Sequence, residues 1–253
     1  MILRHLEQKL TFKPTRTDYG GLSRFNPRRL RFGQEFGLDL DGAFIDRGSR
    51  SAVLFIHGNK HNLTRFEDHY ALFSNLGLST FCFDYPGYGQ SPGAPTETNV
   101  YASARAAFSY LNHTLGKAPE EIVVYGCSMG GAVAIELLQH VQAAALVTES
   151  TFTNSWEMAQ HLYPYLPVWR LLPKRFENDA RIGRLRTPLH MIHGDLDRVV
   201  PIRMAHALHA RAPVGTTLQL IEGANHVNSV AMGGEPLART FGEFLQRVTT
   251  GTN

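Results

Sequence analysis

The 253-residue sequence predicts an α/β domain with a mostly parallel central sheet flanked by helices. Two observations support this prediction. From residue 51 onward, short apolar runs recur, and helix-length segments separate them. Runs that are apolar throughout are typical of strands buried on both faces of a parallel sheet. The length suits a single domain spanning residues 1–253.

The individual elements can be read in order along the chain. Residues 30–46 alternate apolar and polar side chains around glycines, which predicts strands joined by tight turns. The apolar runs predict strands at residues 52–56, 80–83, 122–125, 143–147, 189–192 and 217–221. The intervening segments predict helices at residues 64–75, 100–115, 130–140, 202–210 and 236–248. In sheets of this class, ligands bind at the loops after the carboxyl ends of the strands.

One connection breaks the alternation of strand and helix. Residues 150–187 are rich in aromatic side chains and proline. Loops of this length inside a domain are usually functional or have structure of their own. We therefore predict a small lid over residues 150–187, with Phe152, Trp156 and Tyr163 contacting the substrate. The alternative is an excursion whose aromatic side chains pack against the body of the domain.

Net charge and the placement of basic residues argue against a nucleic-acid-binding protein. A net charge of +3 gives no sign of the clustered basic face that binds nucleic acid. The arginines between Arg24 and Arg31 are a local exception, for which a solvated loop face is the favoured interpretation. Cys82 and Cys127 lie in apolar runs and are interpreted as buried thiols.

The sequence also bears on membranes and targeting. No run approaches the ~18 apolar residues of a membrane span. Residues 1–13 carry charges throughout and lack the apolar core of a signal peptide. We therefore expect a soluble, cytoplasmic protein without an integral membrane segment. Peripheral lipid contact and the oligomeric state stay open.

Two G-x-S-x-G motifs, at residues 89–93 and 126–130, offer candidate nucleophiles. The motif is functional where a strand enters a sharp turn that opens a helix. Ser91 does not meet this requirement, because Pro92 follows it and residues 93–95 cannot begin a regular helix. Ser128 meets it, because an apolar strand precedes it and a helical segment follows. Ser128 is the predicted nucleophile.

A serine hydroxyl needs a base, and the base needs an acid to orient it. His226 follows the last predicted strand, which places it at the same sheet edge as Ser128. His57 and His193 each precede a glycine at a strand end and are interpreted as orienting loop backbone. Asp195 and Asp197 lie in the loop before Pro201, and the spacing from the strand favours Asp197.

Glu149, after the strand ending near Val147, is a third candidate for the acid, with structural pairing as its favoured role. An oxyanion hole requires two backbone N–H groups, and losing one donor typically lowers the rate by about 10²–10³. The amide of Met129 follows the nucleophile. The amide of Asn59 follows Gly58, a residue that allows the loop after the first long strand to turn inward.

Six motifs occur in the order typical of one protein superfamily. They are His57-Gly58-Asn59, residues 84–91, residues 126–131, Glu149-Ser150, residues 193–201 and residues 223–226. Together they resemble the α/β-hydrolase superfamily over about residues 50–250. They are similar more narrowly to its α/β-hydrolase-domain and serine-aminopeptidase-like branch, which includes lysophospholipases and protein depalmitoylases. The resemblance implies that Asp197 is the acid and that Glu149 is not catalytic. Cys127 departs from the commoner histidine or aspartate before the nucleophile.

These features predict a serine hydrolase that acts on a small-molecule ester or thioester by two-step acyl transfer. The aromatic residues of the predicted lid favour an apolar acyl or aryl group. The sequence has neither an H-E-x-x-H zinc motif nor a dinucleotide fingerprint, so we expect no metal and no organic cofactor. A peptidase, a lactonase or a C–C bond hydrolase would use the same triad. A binding protein on the same scaffold is a further alternative.

Overall fold

The computed structural model describes residues 11–250, and residues 1–10, which form most of the segment assessed for a signal peptide, lie outside it. The strands within residues 11–250 are β1 (Lys13–Pro14), β2 (Arg28–Phe32), β3 (Leu40–Ile45), β4 (Ala52–Ile56), β5 (Lys60–His61), β6 (Ser79–Phe83), β7 (Ile122–Cys127), β8 (Ala145–Glu149), β9 (Leu189–Gly194) and β10 (Thr217–Ile221). Eight of them form one sheet in the order β10-β9-β8-β7-β4-β6-β3-β2.

Pairing within this sheet is parallel from β6 through β4, β7, β8 and β9 to β10. It is antiparallel where β3 meets β2 and β6. The prediction of a mostly parallel sheet is therefore confirmed. The strands predicted within residues 30–46 correspond to β2, which begins two residues earlier at Arg28, and β3, and the two pair antiparallel. Short strands β1 and β5 form a separate parallel pair, which ties the N-terminal segment to the loop after β4.

The helices within the described residues are α1 (Glu67–Asn75), α2 (Glu97–Ser109), α3 (Met129–Leu137), α4 (Ser155–Leu162), α5 (Asn178–Arg181), α6 (Ile202–His209) and α7 (Ser229–Thr250). Helix α2 runs on into a π-helical turn at Tyr110–Thr114. Short 3₁₀ turns occupy Ser23–Phe25, Gln34–Phe36, Pro119–Glu121, Val168–Leu171 and Ile182–Arg184. Helix α7 is interrupted at Gly234, whose φ of 46° and ψ of −136° are not helical.

The two faces of the sheet carry separate apolar cores, as the alternation of β4 shows. Leu54 and Ile56 belong to a core covered by α2 and α3, whereas Val53 and Phe55 belong to a core covered by α1 and α7. All five residues of β4 are buried. Because side chains alternate along a strand, a strand buried on both faces must be apolar throughout. This explains the uninterrupted apolar run in the sequence.

Helices α2 and α7 begin earlier than the sequence predicts, each for a local reason. Helix α2 begins at Glu97 instead of Val100, because Thr96 caps it. The Asn99 amide donates to Thr96 Oγ1 at 3.2 Å, and the Thr96 amide donates to Asn99 Oδ1 at 2.6 Å. Asparagine here replaces the usual glutamate of a capping box. Helix α7 begins at Ser229 rather than at Pro236 because a helical turn precedes the break at Gly234.

The arginines near residue 30 and the two cysteines have ordinary structural surroundings. Arg29 pairs with Asp41, and Arg31 with Asp39. Both cysteines are buried and free, as expected from the sequence. Burial raises the pKa of the Cys82 thiol to about 12, so this side chain behaves as a small apolar group.

A buried histidine between β9 and β10 predicts acid sensitivity. His190 is 1% exposed and is hydrogen-bonded through Nδ1 to Thr217 Oγ1 at 2.6 Å. Burial lowers its pKa from 6.5 to about 4. Between these pH values the unfolded chain binds the proton more readily than the folded one, so the free energy of unfolding falls as the pH falls.

We expect the loss to approach 3 kcal/mol at about pH 4, since each pKa unit corresponds to about 1.4 kcal/mol. Urea unfolding at pH 7 and pH 4.5 measures the loss in the wild type and in His190→Gln. The variant should lose distinctly less stability than the wild type over this range. Equal losses in the two proteins would contradict the prediction.

Candidate active site

Ser128 lies at the junction between β7 and α3 in a strained backbone conformation, with φ 55° and ψ −117°. A positive φ is uncommon for a residue other than glycine and is typical of a nucleophile elbow. Two backbone hydrogen bonds hold the turn. The Ser128 amide donates to the Glu149 carbonyl at 2.7 Å, and the Gly131 amide donates to the Ser128 carbonyl at 3.0 Å. The turn therefore presents the hydroxyl at the carboxyl edge of the sheet.

The glycines beside Ser128 are required by close packing. A Cβ at Gly130 would lie 1.9 Å from the carbonyl oxygen of Ile56, in β4. A Cβ at Gly131 would lie 1.8 Å from Thr151 Oγ1. Neither distance is sterically allowed, so any side chain here would push helix α3 away from the sheet. The glycines thus serve the close approach of strand and helix that the sequence motif indicates.

The structure brings Ser128, His226 and Asp197 together. His226 Nε2 lies 3.1 Å from Ser128 Oγ, and His226 Nδ1 lies 2.7 Å from Asp197 Oδ2. Asp197 Oδ1 accepts hydrogen bonds from the amides of Val199 at 2.8 Å and Val200 at 2.9 Å. Each of the three residues follows a strand of the same sheet, β7, β9 or β10. The arrangement has the geometry of a nucleophile, a base and an orienting acid.

The surroundings of Asp197 favour its ionised carboxylate form. Burial acts to raise the pKa of Asp197, but the hydrogen bond and charge of His226 and the Val200 amide lower it below its usual value. An ionised Asp197 accepts a hydrogen bond from the N–H at His226 Nδ1. His226 Nε2 is then left as a hydrogen-bond acceptor facing the Ser128 hydroxyl.

The two other candidate acids have different partners. Asp195 Oδ1 accepts a hydrogen bond from the Gly223 amide at 2.8 Å. Glu149 Oε2 contacts His69 Nε2 at 2.7 Å and the Tyr125 hydroxyl at 2.9 Å. Burial acts to raise the pKa of Glu149, and the charge and hydrogen bond of His69 outweigh it, so the pKa is lowered. Glu149 is therefore a buried, paired carboxylate.

His57 and His193 bind loop backbone. His57 Nδ1 lies 2.7 Å from the Gly58 carbonyl, and His193 Nε2 lies 2.8 Å from the Val200 carbonyl. Burial lowers the pKa of His193. Both contacts agree with the interpretation that these histidines orient the loops after β4 and β9.

The second motif serine, Ser91, is fully buried, and its hydroxyl makes no hydrogen bond to a histidine or a carboxylate of the described residues. Its Oγ accepts a hydrogen bond from the Asp41 amide at 2.9 Å and donates one to the Asp84 carbonyl at 2.7 Å. These bonds join the start of β3 to the loop after β6. Ser91 therefore has a structural environment.

The loop after β4 lies directly against Ser128. A Cβ at Gly58 would be 3.2 Å from Ser128 Cβ and 3.8 Å from Ser128 Oγ. Within residues 11–250, no protein acceptor receives a hydrogen bond from the amide of Asn59 or of Met129. The Asn59 side chain instead donates to the Thr11 carbonyl at 3.0 Å. Both predicted oxyanion donors therefore remain available to a substrate oxygen.

Gly58→Ala tests this close approach. The added methyl group presses on the hydroxymethyl group of Ser128 and shifts the loop by a few tenths of an ångström. We expect kcat to fall by about tenfold to a hundredfold, because small misplacements of catalytic groups have effects of this size. Gly242→Ala is the matched control, since its Cβ meets only Leu76 Cδ2 at an ordinary 3.5 Å. Wild-type kcat in Gly58→Ala would contradict the placement of the loop.

The three predicted lid residues lie in different environments. Phe152 is 8% exposed, belongs to the apolar core and packs edge-on against Phe176 at 6.0 Å. Trp156 Nε1 donates to the Leu172 carbonyl at 3.0 Å, and Tyr163, the residue after α4, is 38% exposed. For Phe152 this favours the alternative, in which the aromatic side chain packs against the body. Substrate contact by Trp156 and Tyr163 stays a prediction.

One further contact places this segment near the site. His161 Nε2, in α4, lies 2.8 Å from the carbonyl of Arg198, the residue after Asp197. The segment 150–187 is thus anchored to the loop that carries Asp197.

A cluster that includes Cys127, the residue before Ser128, was not anticipated from the sequence. The side chains of His69, Cys127 and Glu149 place potential metal ligands within 4.8 Å of one another. Burial raises the pKa of Cys127 well above its usual value, and a zinc ligand would need the thiolate. The hydrogen bond between His69 and Glu149 accounts for this pair without a metal.

Sequence reasoning also missed two tyrosines. Tyr85 and Tyr88 belong to the motif at residues 84–91, and their hydroxyls donate to the carbonyls of His57 and Asn59. The only sequence signal for these tyrosines was the motif itself, which does not indicate what their hydroxyls contact.

Within residues 11–250, no helix has the length and apolar character needed to cross a membrane.

Comparison with known proteins gives consistent matches. The family described as serine aminopeptidase (S33) matches residues 47–179. An uncharacterized protein of Mycobacterium tuberculosis is 34% identical over 212 residues, which is 83% of this chain and 75% of that protein. Alpha/beta hydrolase domain-containing protein 17B of Homo sapiens is 32% identical over 192 residues, which is 76% of this chain and 65% of that protein.

Solved structures share the fold at lower sequence identity. The esterase Pf2001 of Pyrococcus furiosus superposes with a TM-score of 0.77 at 21% identity, covering 94% of this chain and 98% of that one. A puromycin-hydrolyzing peptidase of Mycobacterium tuberculosis superposes with a TM-score of 0.71 at 17% identity, covering 88% and 39%. At these identities the likeness is one of fold.

Proposed function

Because the chain belongs to the serine aminopeptidase (S33) family of α/β hydrolases, we propose that it is a serine hydrolase that cleaves carboxylic ester or thioester bonds. The observation that carries this proposal is the hydrogen-bonded series from Asp197 Oδ2 through His226 to Ser128 Oγ. Membership of a hydrolase family supports an enzyme. The triad chemistry and the substrate class are our proposal.

In the first step, His226 Nε2 removes the proton of Ser128 Oγ as the oxygen attacks the substrate carbonyl carbon. Asp197 holds the imidazole and stabilises the imidazolium that forms. The amides of Asn59 and Met129 donate to the negative oxygen of the tetrahedral intermediate. The intermediate then expels an alcohol or a thiol, which takes the proton from His226, and leaves an acyl group on Ser128.

In the second step, His226 removes a proton from water, and the hydroxide attacks the acyl-enzyme carbonyl. The same two amides hold the second oxyanion. Its collapse releases the carboxylic acid and returns the proton to Ser128 Oγ. The protein groups named here supply every proton transfer in the cycle.

An apolar acyl group is favoured by the side chains next to the triad. Val227 follows His226, and Leu196 and Val199 flank Asp197; all three are exposed. The exposed side chains of Leu162 and Leu166 lie in or beside α4, the helix tied to the acid loop through His161. Burying this apolar surface against an apolar acyl group contributes about 25 cal/mol of binding free energy per Å².

We also propose that residues 150–187 form a lid and that residues 1–253 form one domain that includes it.

A substrate panel tests the reaction class. The panel consists of p-nitrophenyl esters of increasing chain length, an acyl thioester, aminoacyl arylamides and lactones, each measured with wild type and Ser128→Ala. We expect ester and thioester hydrolysis to exceed arylamide hydrolysis by at least about a hundredfold in kcat/KM, as expected for the poorer amide leaving group. The activity should disappear in Ser128→Ala. Preferred turnover of the arylamides would make the protein a peptidase, and preferred turnover of the lactones a lactonase.

A further inference from the structure

The loop that carries the second oxyanion donor has all three of its carbonyl groups bound. The His57 carbonyl accepts a hydrogen bond from the Tyr85 hydroxyl at 2.9 Å. The Gly58 carbonyl is 2.7 Å from His57 Nδ1. The Asn59 carbonyl accepts from the Tyr88 hydroxyl at 2.8 Å and from the Lys13 amide at 3.0 Å. The loop is therefore held at three consecutive peptide groups.

These contacts fix the direction of the Asn59 N–H. This N–H shares a planar, trans peptide group with the Gly58 carbonyl, so the two bonds point in opposite directions. Tyr85 holds the peptide group before this one, and Tyr88 holds the peptide group after it. Because the peptide groups on both sides are held, the peptide group of the Asn59 amide has little freedom to rotate.

Both tyrosines are rigidly placed. Their side chains are fully buried, and their rings lie against the His57 ring, with centroids 4.6 Å away for Tyr85 and 5.3 Å away for Tyr88. The loop that carries them is anchored by the hydrogen bond from Ser91 Oγ to the Asp84 carbonyl. Because a buried tyrosine hydroxyl requires a partner, its hydrogen bond in turn restrains the partner carbonyl.

We propose that Tyr85 and Tyr88 are positioning residues that aim the Asn59 amide at the substrate oxyanion. This inference rests on the proposed serine hydrolase function. It assigns a role to the motif at residues 84–91, which the triad itself does not use. The tyrosines act through the loop backbone and do not contact the reacting atoms.

Tyr70 provides a matched control that separates a general loss of stability from a loss of positioning. The Tyr70 side chain is also fully buried, and its hydroxyl donates to a backbone carbonyl, that of Leu63, at 2.5 Å. Leu63 lies outside the three residues of the oxyanion loop. Tyr70→Phe therefore removes a bond of the same kind without releasing the loop.

The experiment compares Tyr85→Phe, Tyr88→Phe and Tyr70→Phe with wild type. The measurements are kcat and KM for a p-nitrophenyl ester, the inhibition constant of a trifluoromethyl ketone, and the melting temperature. The ketone forms a tetrahedral adduct with the serine, and the oxygen of that adduct occupies the oxyanion site. Phenylalanine keeps the ring and removes only the hydroxyl.

We expect Tyr85→Phe to lower kcat by about tenfold to a hundredfold with KM within about twofold, since misplaced donors lose part of the stabilisation that a complete donor supplies. The affinity for the ketone should weaken by the same factor. Tyr88→Phe should show a smaller effect of the same kind, because Lys13 still holds the Asn59 carbonyl. Tyr70→Phe should lower the melting temperature and leave kcat and the ketone affinity near wild type.

Each result decides the proposal. In one outcome, Tyr85→Phe and Tyr88→Phe lower the melting temperature as Tyr70→Phe does, but kcat and the ketone affinity stay at the wild-type level. This outcome overturns the positioning role of the two tyrosines and leaves the proposed function standing. If Tyr85→Phe does not fold, Tyr88→Phe decides by the same criteria. If wild type neither hydrolyses esters nor binds the ketone, the proposed function fails, and the positioning role fails with it.

Discussion

We expect Ser128→Ala to lower kcat for ester hydrolysis by about 10⁴-fold to 10⁶-fold, because removing the nucleophile of a triad has effects of this size. The Ser128 side chain makes a single hydrogen bond among the described residues, to His226. The free energy of unfolding should therefore stay within about 1 kcal/mol of wild type. Steady-state kinetics measures kcat, and urea unfolding measures the free energy of unfolding.

Ser91→Ala is the matched control, because this serine lies in the second copy of the same sequence motif. Its fully buried hydroxyl links the Asp41 amide to the Asp84 carbonyl. Removing it leaves two buried groups without their partner, so the free energy of unfolding should fall by about 1–3 kcal/mol. Its kcat should fall by less than about tenfold, because Ser91 takes part in no proton transfer and its bond to the Asp84 carbonyl affects the Asn59 amide only through the loop that carries Tyr85 and Tyr88. Equal losses of activity in the two variants would contradict the assignment of Ser128.

We expect Asp197→Asn to lower kcat by about 10⁴-fold through the tautomer of the histidine. The amides of Val199 and Val200 both donate to Asp197 Oδ1, so the side-chain oxygen of the new asparagine must stay there. Its NH₂ group then faces His226 Nδ1, which becomes an acceptor. The proton of the imidazole moves to Nε2 and faces the Ser128 hydroxyl, which leaves no base for the nucleophile.

Asp195→Asn is the control for this prediction. Asp195 lies two residues away in the same loop, but its Oδ1 accepts from the Gly223 amide. An asparagine oxygen can accept the same bond, so kcat should stay within a few-fold of wild type. A large loss in Asp195→Asn together with near-normal activity in Asp197→Asn would reverse the assignment of the acid.

The parts of the structure that the sequence predicts are those set by local pattern. The apolar run at residues 52–56 places β4 at its observed bounds, because a strand buried on both faces leaves no polar positions. The motif around Ser128 is predictable because glycines at Gly130 and Gly131 are the only residues that allow helix α3 to approach β4 and Thr151. The loops after parallel strands then bring Ser128, Asp197 and His226 to one edge.

The parts that the sequence does not predict depend on contacts between distant segments. The hydroxyls of Tyr85 and Tyr88 reach carbonyls in a loop almost thirty residues earlier in the chain, and no periodicity encodes that pairing. The pairing of β1 with β5 is equally non-local. Phe152 was expected at the substrate, but aromatic content alone does not distinguish a substrate-contacting ring from one that packs against Phe176.

The most direct test of the account is covalent labelling of the nucleophile. The folded protein is treated with a fluorophosphonate probe, and the modified residue is identified by mass spectrometry in wild type and in Ser128→Ala. The account predicts labelling at Ser128 alone and none in the variant, because only a serine activated by a base displaces fluoride from phosphorus at a useful rate. Absence of labelling in well-folded wild type, or labelling that persists in Ser128→Ala, would contradict the assignment of Ser128 as the activated nucleophile.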